Sequence, residues 1–202
     1  MKKILSVLLV VALVFGFAGC GDGGGETAEQ AVKNAFDAIK AADVEKASEY
    51  IDYETLLNAG EQEKPDTEED VQSKEMMGLI LGNVEYRILE SSQEEDTAIV
   101  KAEITNKDMG SVMSGFISQA FALAFSGLNE EQLNAQYMEV FSKLIKEETQ
   151  TVTNEVDIKL SKSDGKWKID LSDELLDAFM GGLVSYANNI NDALGGDAEP
   201  ER

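Results

Sequence analysis

The apolar residues of this chain change period four times, and that alternation of periods limits the fold it can adopt. Val32, Ala35, Phe36 and Ile39 recur at helical spacing of three and four. Val84, Tyr86 and Ile88 then alternate with Glu85 and Arg87, and Ala98, Val100, Ala102 and Ile104 alternate with Ile99, Lys101 and Glu103. Each run predicts a strand with one buried face. Helical spacing returns in Met109, Val112, Met113, Phe116, Ile117, Ala120, Phe121 and Ala124, and again in Leu133, Tyr137, Val140, Phe141, Leu144 and Ile145. Val152, Val156, Ile158 and Leu160, then Trp167, Ile169 and Leu171, alternate once more. Leu175, Leu176, Phe179, Leu183, Tyr186 and Ile190 end the pattern as one helical stripe. The predicted order is helices, hairpin, helical pair, hairpin, helix. One-faced strands joined by short turns pair antiparallel and cover their apolar face with helices, which makes the fold α+β.

Local signals punctuate these runs. Thr27 with Gln30, and Asn129 with Gln132, fit capping boxes at helix starts. Asp43 fits the cap of a short second helix, and Thr67 with Asp70 the start of another running to about Leu81. Ser91 to Asp96 reads as the first hairpin turn, and Asp164-Gly165 as the second. Ser126-Gly127 stops the long helix after Met109, and Ser172 caps the last one with Asp173 and Glu174 at its positive end. Gly181-Gly182 interrupts that last stripe and predicts a kink or a close helix contact.

The N-terminus follows a different logic. Met1-Lys2-Lys3 precedes fifteen uncharged residues, Ile4 to Ala18. At about 1.5 Å per residue that run is shorter than a hydrocarbon core of about 30 Å. It fits the apolar region of a secretory signal peptide, with a non-cleaved anchor as the alternative. The run closes on Ala18-Gly19 directly before Cys20, the single cysteine of the chain. A catalytic thiolate needs a base, usually histidine, and the chain has no histidine; an internal disulfide needs a second cysteine. Residues 1 to 20 resemble a bacterial lipoprotein signal, departing from it where Phe17 stands in place of the usual leucine. The resemblance implies that Cys20 carries a diacylglyceryl group and becomes the first residue of the mature chain.

The expected organisation is therefore a signal peptide over 1–19, a glycine-rich tether over 20–26, one domain over 27–194 with a helical insertion at 107–148, and a disordered tail over 195–202. The net charge is −22, and removal of the segment holding Lys2 and Lys3 makes it −24. So acidic a domain is unsuited to nucleic acid, which needs Lys and Arg to displace counterions, and is repelled by anionic lipid. Without cysteines after Cys20, it folds on its apolar core alone.

Candidate chemistry is sparse. The strand acids Glu85, Glu103, Glu155 and Asp157 fall on the polar parity and are expected to face solvent; Asp170 is expected to brace the turn before the last helix. Zinc lacks Cys and His ligands here, and neither acidic loop has the oxygen spacing of a calcium turn. No catalytic residue, metal ligand or cofactor is expected. The stripe from Met109 to Phe125 is open to three readings: a core helix, a lid over an apolar pocket, or a membrane-contacting helix.

The stretches AVKNAFDAIKAADVEKASEYI (31–51), VKAEITNKDM (100–109) and DGKWKIDLSDELLDAFMGGL (164–183) resemble a group of Gram-positive lipoprotein domains of unknown function, and more broadly the nuclear-transport-factor-2-like fold. That resemblance implies a curved sheet wrapped round helices to form a cone, whose pocket Tyr86 and Trp167 could line. The expectation is a membrane-anchored extracytoplasmic lipoprotein, held in the bilayer through Cys20, serving as a non-catalytic binding or interaction module for an envelope protein or small ligand. The alternative is an enzyme or carrier for a small hydrophobic molecule in the cone.

Overall fold

The computed structural model describes residues 25–52 and 76–193. Cys20, the signal segment, most of the tether, the Pro65 loop, the Thr67 helix start and the tail lie outside the described residues. Helix α1 (Ala28–Lys40) opens with the expected box: Thr27 Oγ1 accepts from Gln30 N at 3.2 Å, and Gln30 Oε1 accepts from Thr27 N at 3.1 Å. α2 (Val44–Ser48) follows after the Asp43 cap. Residues 76–81 are helical and lead into the sheet.

The sheet has four antiparallel strands in sequence order, β1 (Glu85–Glu94), β2 (Thr97–Lys107), β3 (Thr151–Ser163) and β4 (Lys166–Ile169). It is open, and its inner face packs on helices. Two strands are longer than the alternation predicts. β1 runs on to Glu94, so its turn shrinks to Glu95-Asp96, and a register shift between Ile88 and Glu90 marks a bulge at Leu89. β2 continues past Ile104 to Lys107. The second hairpin turns as expected on Asp164 and Gly165, both at positive φ.

α3 (Met109–Ala124) and α4 (Glu130–Glu147) lie between β2 and β3. Asp108 caps α3 through Ser111 N at 3.0 Å, and the Asn129–Gln132 box opens α4. The single last helix expected from the sequence is two: α5 (Asp173–Phe179) and α6 (Leu183–Ala193). Gly181 and Gly182 take φ of 59° and 79°, a conformation no helix interior accommodates.

One core layer fills the inner face. Val100, Ala102 and Ile104 of β2 and Val156, Ile158 and Leu160 of β3 meet Val32, Phe36 and Ile39 of α1 and Leu175 and Phe179 of α5. A full burial of each large side chain contributes about 1.5–3 kcal/mol, which is why the period-two runs fix the register so firmly. A second cluster, Ile80, Met109, Val112, Phe141, Ile145 and Met180, roots α3 and α4 on the body. The two ends of the sheet differ in what they carry. Glu26 and Ala28 enter at the end holding both hairpin turns, where Trp167 Nε1 donates to Glu26 O and Ala28 N donates to Gln93 Oε1. α3 and α4 join the opposite end, at Lys107 and Thr151.

Candidate functional site

The two aromatic residues proposed as pocket lining both pack inward. Trp167 is 2% exposed within the core, and Lys162 Nζ sits 4.7 Å from its ring centroid. Tyr86 is half-buried, edge-on to Phe36 with centroids 5.1 Å apart, and its hydroxyl donates to Asp37 Oδ1 at 2.8 Å. Phe36 in turn meets Phe179 at 4.8 Å. Phe36, Tyr86 and Phe179 thus make one run of edge-to-face contacts between α1, β1 and α5. Burial, helped by the hydrogen bond and charge of Asp37, pushes the Tyr86 hydroxyl up to about 12. Burial and the neighbouring Glu26 raise Tyr50 in the same direction.

Two open hollows lie elsewhere on the sheet. One, of about 370 Å³, sits between β3 and α5 and is walled by Lys101, Glu155, Asp157, Glu174 and Asp177. Lys101 is already paired there, at 3.3 Å with Glu155 and 3.8 Å with Asp157. The other, of about 380 Å³, lies over Ile99 near the first hairpin turn. Neither is lined by Tyr86 or Trp167. The strand acids Glu85, Glu103, Glu155 and Asp157 lie on the outer face as expected, and the last three pair across strands, Glu103 with Arg87 and both Glu155 and Asp157 with Lys101, beside a Thr105–Thr153 hydroxyl contact. Exposed pairs of this kind contribute little to stability. Among the described residues no group of three or more His, Cys, Asp or Glu is placed to hold a metal, and no helix is long and apolar enough to cross a membrane.

The largest departure from a filled core is α3. Its root is buried at Met109 and Val112, but Ile117, Phe121 and Phe125 are 49%, 71% and 76% exposed. The core reading of the 109–125 stripe therefore holds only for its first turn and the side toward α4, where Phe116 meets Phe141 and Tyr137. Helical spacing identified which residues share a face; it carried no information on what that face meets.

No family model matches the sequence, and no curated protein matches it. Among solved structures, the chain is similar to YcdA of Bacillus subtilis, a protein described as a candidate lipoprotein. The two are 18% identical with a TM-score of 0.44, over 71% of this chain and 45% of that one. The match thus spans less than half the length of that protein.

Proposed function

We propose that this chain is a membrane-anchored extracytoplasmic lipoprotein whose folded domain is a non-catalytic interaction module of the cell envelope. One observation carries the reading: the Ala18-Gly19-Cys20 junction stands only a few residues before a firmly pinned start of the fold. Five residues separate Cys20 from Glu26, and the six Cα-to-Cα steps reach at most ~22 Å when extended. Glu26 is held by Trp167, and Thr27 caps α1. A lipid on Cys20 would hold the body close to the bilayer by its turn-bearing end, with α3 rooted at the other.

Phe36, Tyr86 and Phe179 pack edge-to-face between α1, β1 and α5, and Trp167 lies buried in the core. This packing supports a binding surface on the outside of the body over chemistry within it. The resemblance to Gram-positive lipoprotein domains with a nuclear-transport-factor-2-like fold belongs to the same reading and rests on the stretches quoted above.

Intact-mass spectrometry of the full chain expressed in a bacterium tests the anchor. The reading expects a chain beginning at Cys20 and carrying added acyl mass, and expects Cys20→Ala to accumulate as uncleaved precursor. A wild-type chain that keeps residues 1–19, or begins at Cys20 with no lipid, would sink it.

A further inference from the structure

α3 presents a continuous exposed strip to solvent. Ile117, Phe121 and Phe125 follow one another at four-residue spacing, and Phe121 and Phe125 touch edge-on with centroids 5.2 Å apart. Beside this ridge run Ser114, Ser118 and Ala122, also exposed and all small. A ridge of large side chains next to a furrow of small ones is the relief that lets two helices interlock. The strip is charge-free: no Asp, Glu, Lys or Arg lies between Asp108 and Glu130, in a chain of net charge −22. An exposed apolar patch of this kind marks an interaction surface.

We propose that this strip is the contact surface for a second copy of the chain, two α3 helices crossing antiparallel about a two-fold axis near Phe121. Such an axis sets Ile117 of one copy opposite Phe125 of the other, so the ridge of each enters the furrow of its partner. A two-fold interface requires a surface complementary to itself, and the strip has one. Charge selects the same place. A second copy brings the same 39 acids as the first, so most faces of the pair repel, and the uncharged strip is where two copies approach at least cost. The bilayer is the weaker occupant, since α3 is rooted at the sheet end away from Glu26 and carries no Lys or Arg to meet anionic lipid. The proposal deepens the interaction-module reading by naming its partner. The contact between copies does not require the anchor, although setting the bilayer aside as occupant uses the anchor's place at the Glu26 end, and two copies tethered in one bilayer meet at raised effective concentration.

Cysteine cross-linking in membranes from a bacterium expressing the full chain tests it. Phe121→Cys, whose side chain leaves the core untouched, is expected to give a disulfide-linked band at twice the chain mass under mild oxidant. Ser163→Cys, exposed at the opposite end of the sheet, is expected to stay monomeric. Adding Phe125→Asp to Phe121→Cys lowers the linked fraction at least tenfold, and raising salt increases it by screening acid against acid. Equal linkage at Ser163 and Phe121, no linkage at Phe121, or a product of any mass other than twice the chain overturns the proposal. Linkage that falls with salt does so as well, pointing to a basic partner. Wild-type dimers joined through Cys20 overturn the acylation reading alone, and Cys20→Ser with Phe121→Cys then carries the same comparison.

Discussion

Asn106 Nδ2 donates to the carbonyl of Phe179 at 2.6 Å, tying the end of β2 to the end of α5 across 73 residues of sequence. The same nitrogen reaches Ile80 O at 3.2 Å, and Asn106 Oδ1 accepts from Lys107 N at 2.8 Å. The side chain is 1% exposed, and it joins three segments where the two core clusters meet. Two helix-end carbonyls lose their donor if it is removed, and a buried unpaired group costs about 1–3 kcal/mol. Asn106→Leu is therefore expected to destabilise the chain by about 2–4 kcal/mol. A urea midpoint within error of wild type would show that the bridge does not matter.

Gly181 and Gly182 make a sharper comparison, because both hold positive φ but only one is crowded. A Cβ on Gly181 would overlap the Lys107 carbonyl oxygen and press on Met109 Cγ at 3.0 Å, while Gly182 has open space around it. Met109 N also donates to Gly181 O at 3.0 Å, so the backbone cannot retreat without losing the start of α3. Gly182→Ala is expected to cost about 1–2 kcal/mol from φ alone. Gly181→Ala is expected to cost clearly more. Thermal unfolding of the two variants side by side decides it: equal losses would mean that close approach adds nothing to conformational strain.

These two sites show where the sequence was readable and where it was not. Capping boxes at Thr27 and Asn129 were legible because donor and acceptor lie three residues apart. The inner faces of β2 and β3 were legible because alternation continues for their whole buried length. Asn106 carried a signal too: it continues the inward parity of Ala102 and Ile104, and a polar residue at an inward position implies a buried hydrogen-bonding role. The second half of β1, Ser91 to Glu94, resembles a turn in sequence because it is exposed on both sides past the Leu89 bulge and so carries no alternation. The candidate surface on α3 was legible as a stripe but not as a surface. Exposure depends on which elements end nearby, and period alone does not encode that.

Trp167 links the start of the fold to its last hairpin. Its indole nitrogen donates to Glu26 O at 3.0 Å, holding the chain just before α1. Trp167→Phe keeps a six-membered ring in the core but removes this donor together with the rest of the indole. The first turn of α1 is expected to exchange amide hydrogens about tenfold faster, with global stability lowered by about 1–3 kcal/mol from the lost hydrogen bond and the small cavity. Hydrogen exchange over residues 27–32 checks it. Unchanged protection there would mean that the capping box alone fixes the helix start. As the single tryptophan of the chain, buried Trp167 also predicts a blue-shifted emission that moves red on unfolding.

The Tyr86 hydroxyl predicts how stability responds to alkali. Burial first, and then the hydrogen bond to Asp37 and its charge, push its pKa up from 10.0 to about 12 in the folded chain. The folded state thus holds this proton at a pH where the unfolded state has released it. With more protons bound in the native state, stability falls as pH rises. Tyr86 therefore contributes its full share below pH 10, and that share is lost between about pH 10 and 12. Because the ring is only half-buried, solvent screening keeps the contribution modest. Tyr86→Phe removes the titrating group and is expected to flatten the stability profile across that window, while leaving the edge-on contact with Phe36 in place. In a phenolate absorbance titration of the native chain, a late step should appear near pH 12, and Tyr86→Phe should delete it. A late step that survives the substitution would assign the raised pKa to another tyrosine, Tyr50 first.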